Sequence, residues 1–93
     1  MGVYRIQNKI TGRVYIGCTK AGFYKRLVNH ISRLRYGTHE CKEMQNDWNI
    51  VGEENFIVEV VEYVDDPSRL LEIEKYWQDK FNGNLYNFWL RKK

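Results

Sequence analysis

Residues 66–82 trace one apolar stripe along a helix, and a carboxylate sits inside that stripe. At about 100° per residue, Leu70, Ile73, Trp77 and Phe81 share a face, and Glu74 falls among them. Asp66 followed by Pro67 supplies an N-cap and a first helical residue that needs no N–H, and Gly83 ends the run. A charge on the buried face constrains everything else, because an unpaired buried ion costs on the order of several kcal/mol. The chain must bring to Glu74 a cationic side chain, a metal ion or the floor of a wet cleft. Arg26 and Arg69 are the candidate ion-pair partners. A hard divalent cation is the other candidate, since Mg²⁺ is commonly held by one or two carboxylates with water and substrate phosphate completing its shell.

The rest of the sequence supplies a small sheet for that helix to cover. Residues 2–6 and 13–17 are short β-branched and aromatic runs separated by Asn8, Lys9, Thr11 and Gly12, a hairpin pattern. Alternation sends Tyr4 and Ile6 to one side and Val3 and Arg5 to the other, with Tyr15 opposite in sense to Val14 and Ile16. Over residues 21–36, Phe23, Leu27, Ile31 and Leu34 recur at helical spacing, with Tyr24 and Val28 expected to widen the stripe and Arg26, His30 and Arg33 along its flank. Gly37 is placed as a helix-terminating glycine. Thr38 then offers a cap for a second helix with Cys41, Met44, Trp48 and Val51 on one face, and Gly52 as its stop. Residues 56–64 are a third strand, rich in Val, Ile and aromatics. The aromatic segment 85–90 is expected to pack back on the core. The order β-β-α-α-β-α describes an α+β domain in which three helices flank a three-stranded sheet made of the N-terminal hairpin and one later strand.

Ninety-three residues make one small domain, and with 43% hydrophobic residues, three Trp, seven Tyr and four Phe, the chain can fill a core rather than remain disordered. No run approaches the ~20 apolar residues of a membrane span and no signal-peptide layout opens the chain, so a soluble, cytoplasmic protein without membrane partners is expected. Cys18 and Cys41 are expected as reduced thiols, and with His30 and His39 they match no zinc spacing. The charge is lopsided: residues 1–51 carry nine Lys and Arg against three carboxylates, residues 52–93 six against nine. The basic half is the part a polyanion would meet.

Tyr4 and Tyr15, one on each hairpin strand, can be core residues or reactive ones. A free phenol titrates near 10, so it takes a proton from water only where neighbouring cations stabilise the phenolate.

These residues together resemble the GIY-YIG nuclease family. Gly2-Val3-Tyr4 and, about ten residues on, Tyr15-Ile16-Gly17 resemble its paired signature, with Val3 where the family name has Ile. Lys25-Arg26 resembles the family's arginine, His30 a histidine of its homing-endonuclease branch, and Gly37-Thr38-His39 a Gly-x-His of some of those enzymes. Glu74, before Tyr76-Trp77, resembles the metal-binding glutamate, and Tyr86-Asn87 a late asparagine motif, so the resemblance runs through residues 2–87 in chain order. It implies an antiparallel sheet and the hydrolysis of DNA phosphodiester bonds with one divalent ion, Mg²⁺ or Mn²⁺. By the same resemblance Glu74 would hold the metal, Arg26 would clamp the scissile phosphate, Tyr4 or Tyr15 would position or deprotonate water, with Tyr4 preferred, and His30 would assist proton transfer or bind phosphate. Lys25, Arg33, His39 and Asn87 are the expected substrate-binding residues.

The expectation is thus a catalytic domain over residues 1–90 with a basic tail at 91–93. It would act as a free-standing nuclease or as the catalytic part of a phage or intron homing endonuclease, with DNA as partner and the oligomeric state, a monomer or larger, left open by the sequence. The alternative is a nucleic-acid-binding module that keeps the fold without cleaving.

Overall fold

The computed structural model describes residues 1–86, and the element order matches the expected one: β1 (Gly2–Asn8), β2 (Val14–Thr19), α1 (Phe23–Tyr36), α2 (Lys42–Val51), β3 (Phe56–Tyr63) and α3 (Leu70–Lys80). The sheet is antiparallel with strand order β2-β1-β3, so the N-terminal strand is central and the hairpin partner β2 is an edge. Asn8 makes the hairpin turn. Its side-chain carbonyl accepts the N–H groups of Ile10 (2.8 Å) and Thr11 (3.3 Å), and its backbone carbonyl accepts that of Gly12 (2.9 Å). An asparagine that satisfies its own turn in this way is a local reason for the chain to reverse there.

Strand alternation divides the core. Tyr4, Ile6 and Tyr15 face α1 and α2, where they meet Leu34, Cys41, Met44 and Trp48. Val3, Val14 and Ile16 face the opposite way, against Leu70 and Ile73 of α3 together with Val64 and Leu85. The sheet is therefore covered on both sides, with α3 alone on one of them. That geometry decides how Glu74 can meet the hairpin tyrosines: the two sets of side chains start on opposite faces and can converge only around an edge, and β2 supplies it.

Several boundaries differ from expectation, each for a local reason. The segment after Asp66 is not α-helical at once: Asp66 Oδ1 takes the Ser68 N–H (3.0 Å) and hydroxyl (2.8 Å), and Arg69 N–H bonds the Asp66 carbonyl (3.0 Å). These short-range bonds wind Pro67–Arg69 as a 3₁₀ turn, and α3 starts at Leu70. At the other end, Phe81 and Asn82 bond back three residues instead of four, so the helix stops at Lys80 and Gly83 takes its left-handed conformation two residues past the cap. Thr38 does not cap α2. Its N–H and hydroxyl both reach back to the Arg33 carbonyl, closing α1 beyond the left-handed Gly37, and Cys41 stands at the N-cap of α2. In α1, Tyr24 and Val28 are exposed and His30 is buried, so the inward face is centred on Leu27, His30 and Leu34.

The C-terminal segment does return to the core at Leu85 and Tyr86. Tyr86 N–H bonds the Val14 carbonyl (2.8 Å), and its hydroxyl donates to Asp47 (2.6 Å) while accepting from Asn8 Nδ2 (3.0 Å). The Arg13 guanidinium lies 4.5 Å from the centre of the Tyr86 ring. Asn87, the remainder of the aromatic segment and the basic tail at 91–93 lie outside the described residues. Cys18 and Cys41 are not joined in a disulfide. Among the described residues, no helix is long and apolar enough to cross a membrane.

Candidate active site

The two signature glycines are places where a side chain has no room. A Cβ at Gly2 would overlap the Glu62 carbonyl oxygen across the β1–β3 pair, and one at Gly17 would overlap the Tyr4 hydroxyl. Tyr4 and Gly17 are direct partners in the β1–β2 register, so the Tyr4 ring lies across the bare backbone of the edge strand. This is how a fully buried tyrosine of the central strand delivers its oxygen to the border of the sheet. Gly17→Ala is expected to cost about 1–3 kcal/mol, as overpacking a filled site does. Urea unfolding checks it, and unchanged stability would mean that the ring does not occupy that space.

Around the Tyr4 oxygen the chain assembles a connected polar cluster. His30, one turn after Arg26 on α1, places Nε2 at 2.6 Å from the Tyr4 oxygen, and Arg26 Nε donates to the same oxygen at 3.3 Å. Behind His30, its Nδ1 lies 2.8 Å from Nε2 of His39, and the rings stack with centroids 5.0 Å apart. Tyr15 closes the cluster from below, its ring edge-on to His30 (5.1 Å) and to His39 (5.7 Å). Arg26, Asn29, His30, Arg33, His39 and Glu40 line a shallow depression over this cluster. Arg26 and Arg33 are exposed there, whereas His39, at the back of the depression, is 1% exposed. Lys25 is exposed on α1 and shares none of the described contacts of the cluster.

Burial sets the protonation of these groups. It pushes the Tyr4 phenol up to about 12, with Arg26 pulling the other way by charge and hydrogen bond. Tyr15 is raised further by burial, with the neighbouring Tyr4 adding to the effect. Burial, then the charges of His39, Arg26 and Arg33, holds His30 down to about 3, and burial lowers His39 as well. The two imidazoles are therefore neutral at physiological pH, and the cluster presents neutral donors and one fixed cation.

Glu74 approaches from the other face. It is half-buried on α3, and its carboxyl is raised by desolvation and partly restored by a hydrogen bond from the Cys18 thiol. Among the described residues it forms no ion pair: Arg69 reaches Glu72 (3.8 Å) and Arg26 reaches Tyr4. The buried Glu74–arginine pair, an open alternative in the sequence, is thus not formed. Cys18 directly follows Gly17, over which the Tyr4 ring lies, so Glu74 is anchored one residue along the edge strand from the phenol and on the other face of the sheet. Cys18 lies one residue beyond the strand expected at 13–17, and its sequence signal was only that of a reduced thiol; in the structure β2 runs on to Thr19 and Cys18 pairs in register with Val3.

The donor set bears on a metal. No group of three or more His, Cys, Asp or Glu gathers among the described residues, which leaves no all-protein cage. A half-buried, desolvated carboxylate with no ion pair among the described residues suits a hard divalent ion that keeps most of its shell as water and phosphate oxygen, so Glu74 fits that group.

A small α+β domain that gathers a phenol, an imidazole and a guanidinium at one oxygen, with a desolvated carboxylate bonded to the same edge strand, suits an anionic substrate. The family model of the GIY-YIG catalytic domain matches residues 1–87, and the chain belongs to this nuclease family. Among solved structures it is similar to the catalytic domain of the homing endonuclease I-TevI, at 28% identity and a TM-score of 0.82, covering 91% of this chain and 94% of that one. A variant of the catalytic domain of the intron endonuclease I-TevI, bearing one glutamate-to-alanine substitution, is similar at 28% identity and a TM-score of 0.76, covering 87% and 82%. No curated protein sequence matches the chain.

Proposed function

We propose that this domain is a divalent-metal-dependent DNA endonuclease that hydrolyses phosphodiester bonds, acting alone or as the catalytic part of a homing-type enzyme. The observation that carries the proposal is that Arg26 and His30 bond the Tyr4 oxygen over Gly17 of β2, while a half-buried Glu74, with no ion pair among the described residues, bonds the next residue of that strand, Cys18. DNA as substrate is supported by the surplus of Lys and Arg in residues 1–51 and by the homing-endonuclease relatives.

Arg26 touches Tyr4 through Nε only, which leaves its two terminal amino groups to grip a phosphate as a fork. That grip sets phosphorus in line with a water beside the Tyr4 oxygen. Tyr4, not Tyr15, is the group for that water's proton, because Tyr4 has Arg26 and His30 on its oxygen. Burial keeps the phenol protonated in the free domain, and charging it depends on Arg26 and on the cation. Glu74 is the residue that would hold Mg²⁺ or Mn²⁺, and the ion when bound supplies Lewis-acid polarisation and neutralises charge at the phosphate. Arg33 lies along the same depression and adds positive potential for the DNA backbone.

The test is nicking of supercoiled plasmid by the purified domain with Mg²⁺ or Mn²⁺, and with EDTA. Conversion to open circles that EDTA abolishes is the expected result. Salt-dependent binding without nicking under any divalent ion would convert the reading to a non-cleaving DNA-binding module.

A further inference from the structure

We propose that His39 is a positioning residue: held by the backbone N–H of Cys41, it fixes His30 as a hydrogen-bond donor to the Tyr4 oxygen. The inference rests on Tyr4 being the reactive phenol, and it assigns to a buried side chain the orientation of the group in front of it.

The orientation follows link by link from one donor that admits no ambiguity. The Cys41 backbone N–H donates to His39 Nδ1 at 3.0 Å. A nitrogen that accepts carries no proton, so the His39 proton is on Nε2, the atom facing His30 Nδ1 at 2.8 Å. His30 Nδ1 must then accept, which leaves the His30 proton on Nε2, 2.6 Å from the Tyr4 oxygen. Both rings are neutral in this arrangement, because a second proton on either would set two N–H groups against each other. The Tyr4 oxygen thus receives two donors, His30 Nε2–H and Arg26 Nε–H. Hydrogen bonds donated to an ionisable oxygen favour its charged form. His30 in this orientation does not take the Tyr4 proton; its N–H favours the charged form of the Tyr4 oxygen.

His39 is itself held in place. Its backbone N–H donates to Gln45 Oε1 (3.0 Å), and Gln45 Nε2 donates to the Leu34 carbonyl at the end of α1 (2.9 Å). One glutamine of α2 therefore clamps the His39 loop to the helix that carries His30 and Arg26. With a side chain 1% exposed and both ring nitrogens engaged, His39 acts through His30 and not on DNA.

The experiment uses two variants of the whole chain. His39→Gln keeps an N–H donor toward His30, and His39→Leu removes it. With ¹⁵N-labelled histidine, wild type and His39→Gln are expected to hold His30 as the Nε2–H tautomer, and His39→Leu to give a mixture. In single-turnover nicking, His39→Leu is expected to lose about 10- to 100-fold in rate at unchanged DNA affinity, the usual penalty for losing an orienting partner, and His39→Gln to recover most of it. An Nδ1–H His30 in the wild type overturns the proposal, as does a folded His39→Leu that nicks at the wild-type rate. A wild-type domain that does not nick would instead sink the nuclease reading, and the tautomer measurement would still decide the role of His39.

Discussion

Glu74→Gln is expected to abolish Mg²⁺-dependent nicking, by on the order of a thousandfold or more, while the protein stays folded and still binds DNA. A bound cation contributes several kcal/mol at the transition state, and each ~1.4 kcal/mol is a factor of ten. The amide keeps the shape of the carboxylate and removes only its charge. Its oxygen can still accept from the Cys18 thiol. Folding has no cause to suffer: desolvation already raises the Glu74 carboxyl above its ordinary value, so the folded state disfavours the charge that the substitution deletes. Thermal melting of the variant at or slightly above the wild-type midpoint is the matching expectation. Gel-shift titration checks DNA binding, and Mn²⁺ titration followed by electron paramagnetic resonance checks ion binding. A variant that unfolds would identify Glu74 as a structural partner, and one that nicks normally would remove it from the mechanism.

Glu74 was legible because helix periodicity places a charge where none should be, and that anomaly needs no tertiary knowledge. The identity of its neighbour was not. Cys18 and Glu74 are 56 positions apart in the chain, and they meet because β2 is an edge strand and α3 alone covers one face of the sheet. The hairpin and its alternation were readable for a similar reason to the helix, since a period of two leaves each residue a choice of only two faces. In α1 the stripe of Phe23, Leu27, Ile31 and Leu34 packs on the core as the spacing indicates, and the same logic misplaced only its widening. A hydrophobicity pattern prefers Tyr24 and Val28 to His30, but a histidine whose ring nitrogens are both bonded is buried at little cost, and Tyr24 is left 83% exposed. Asp66 caps as its sequence position indicates, although the turn it opens is 3₁₀ before α3 begins, whereas Thr38 spends its hydrogen bonds on closing α1 instead of opening α2. His39 illustrates the limit most clearly. As a Gly-x-His motif it resembles a substrate-binding residue, whereas its partners, the Cys41 N–H and the His30 ring, are set by a loop conformation that Gln45 holds.

Arg26→Ala is expected to slow single-turnover nicking by about 10²- to 10³-fold, the range typical for loss of one donor aimed at developing charge, with a much smaller change in DNA affinity. Arg26 is an exposed residue of α1 that forms no ion pair among the described residues, so the melting temperature is expected to move little, as for surface substitutions in general. Two losses combine in the rate. The fork that grips the phosphate disappears, and the Tyr4 phenol loses the only fixed positive charge bonded to its oxygen, the influence that opposes burial. Arg26→Lys separates them. An ammonium is a single point charge and cannot touch the phenol through one nitrogen while presenting a planar pair to phosphate. If charge at Tyr4 dominates, Lys should restore most of the rate; if the fork dominates, Lys should resemble Ala. Arg26→Ala with unchanged turnover would exclude both contributions, and a loss that appears equally in affinity and rate would reduce Arg26 to a DNA contact.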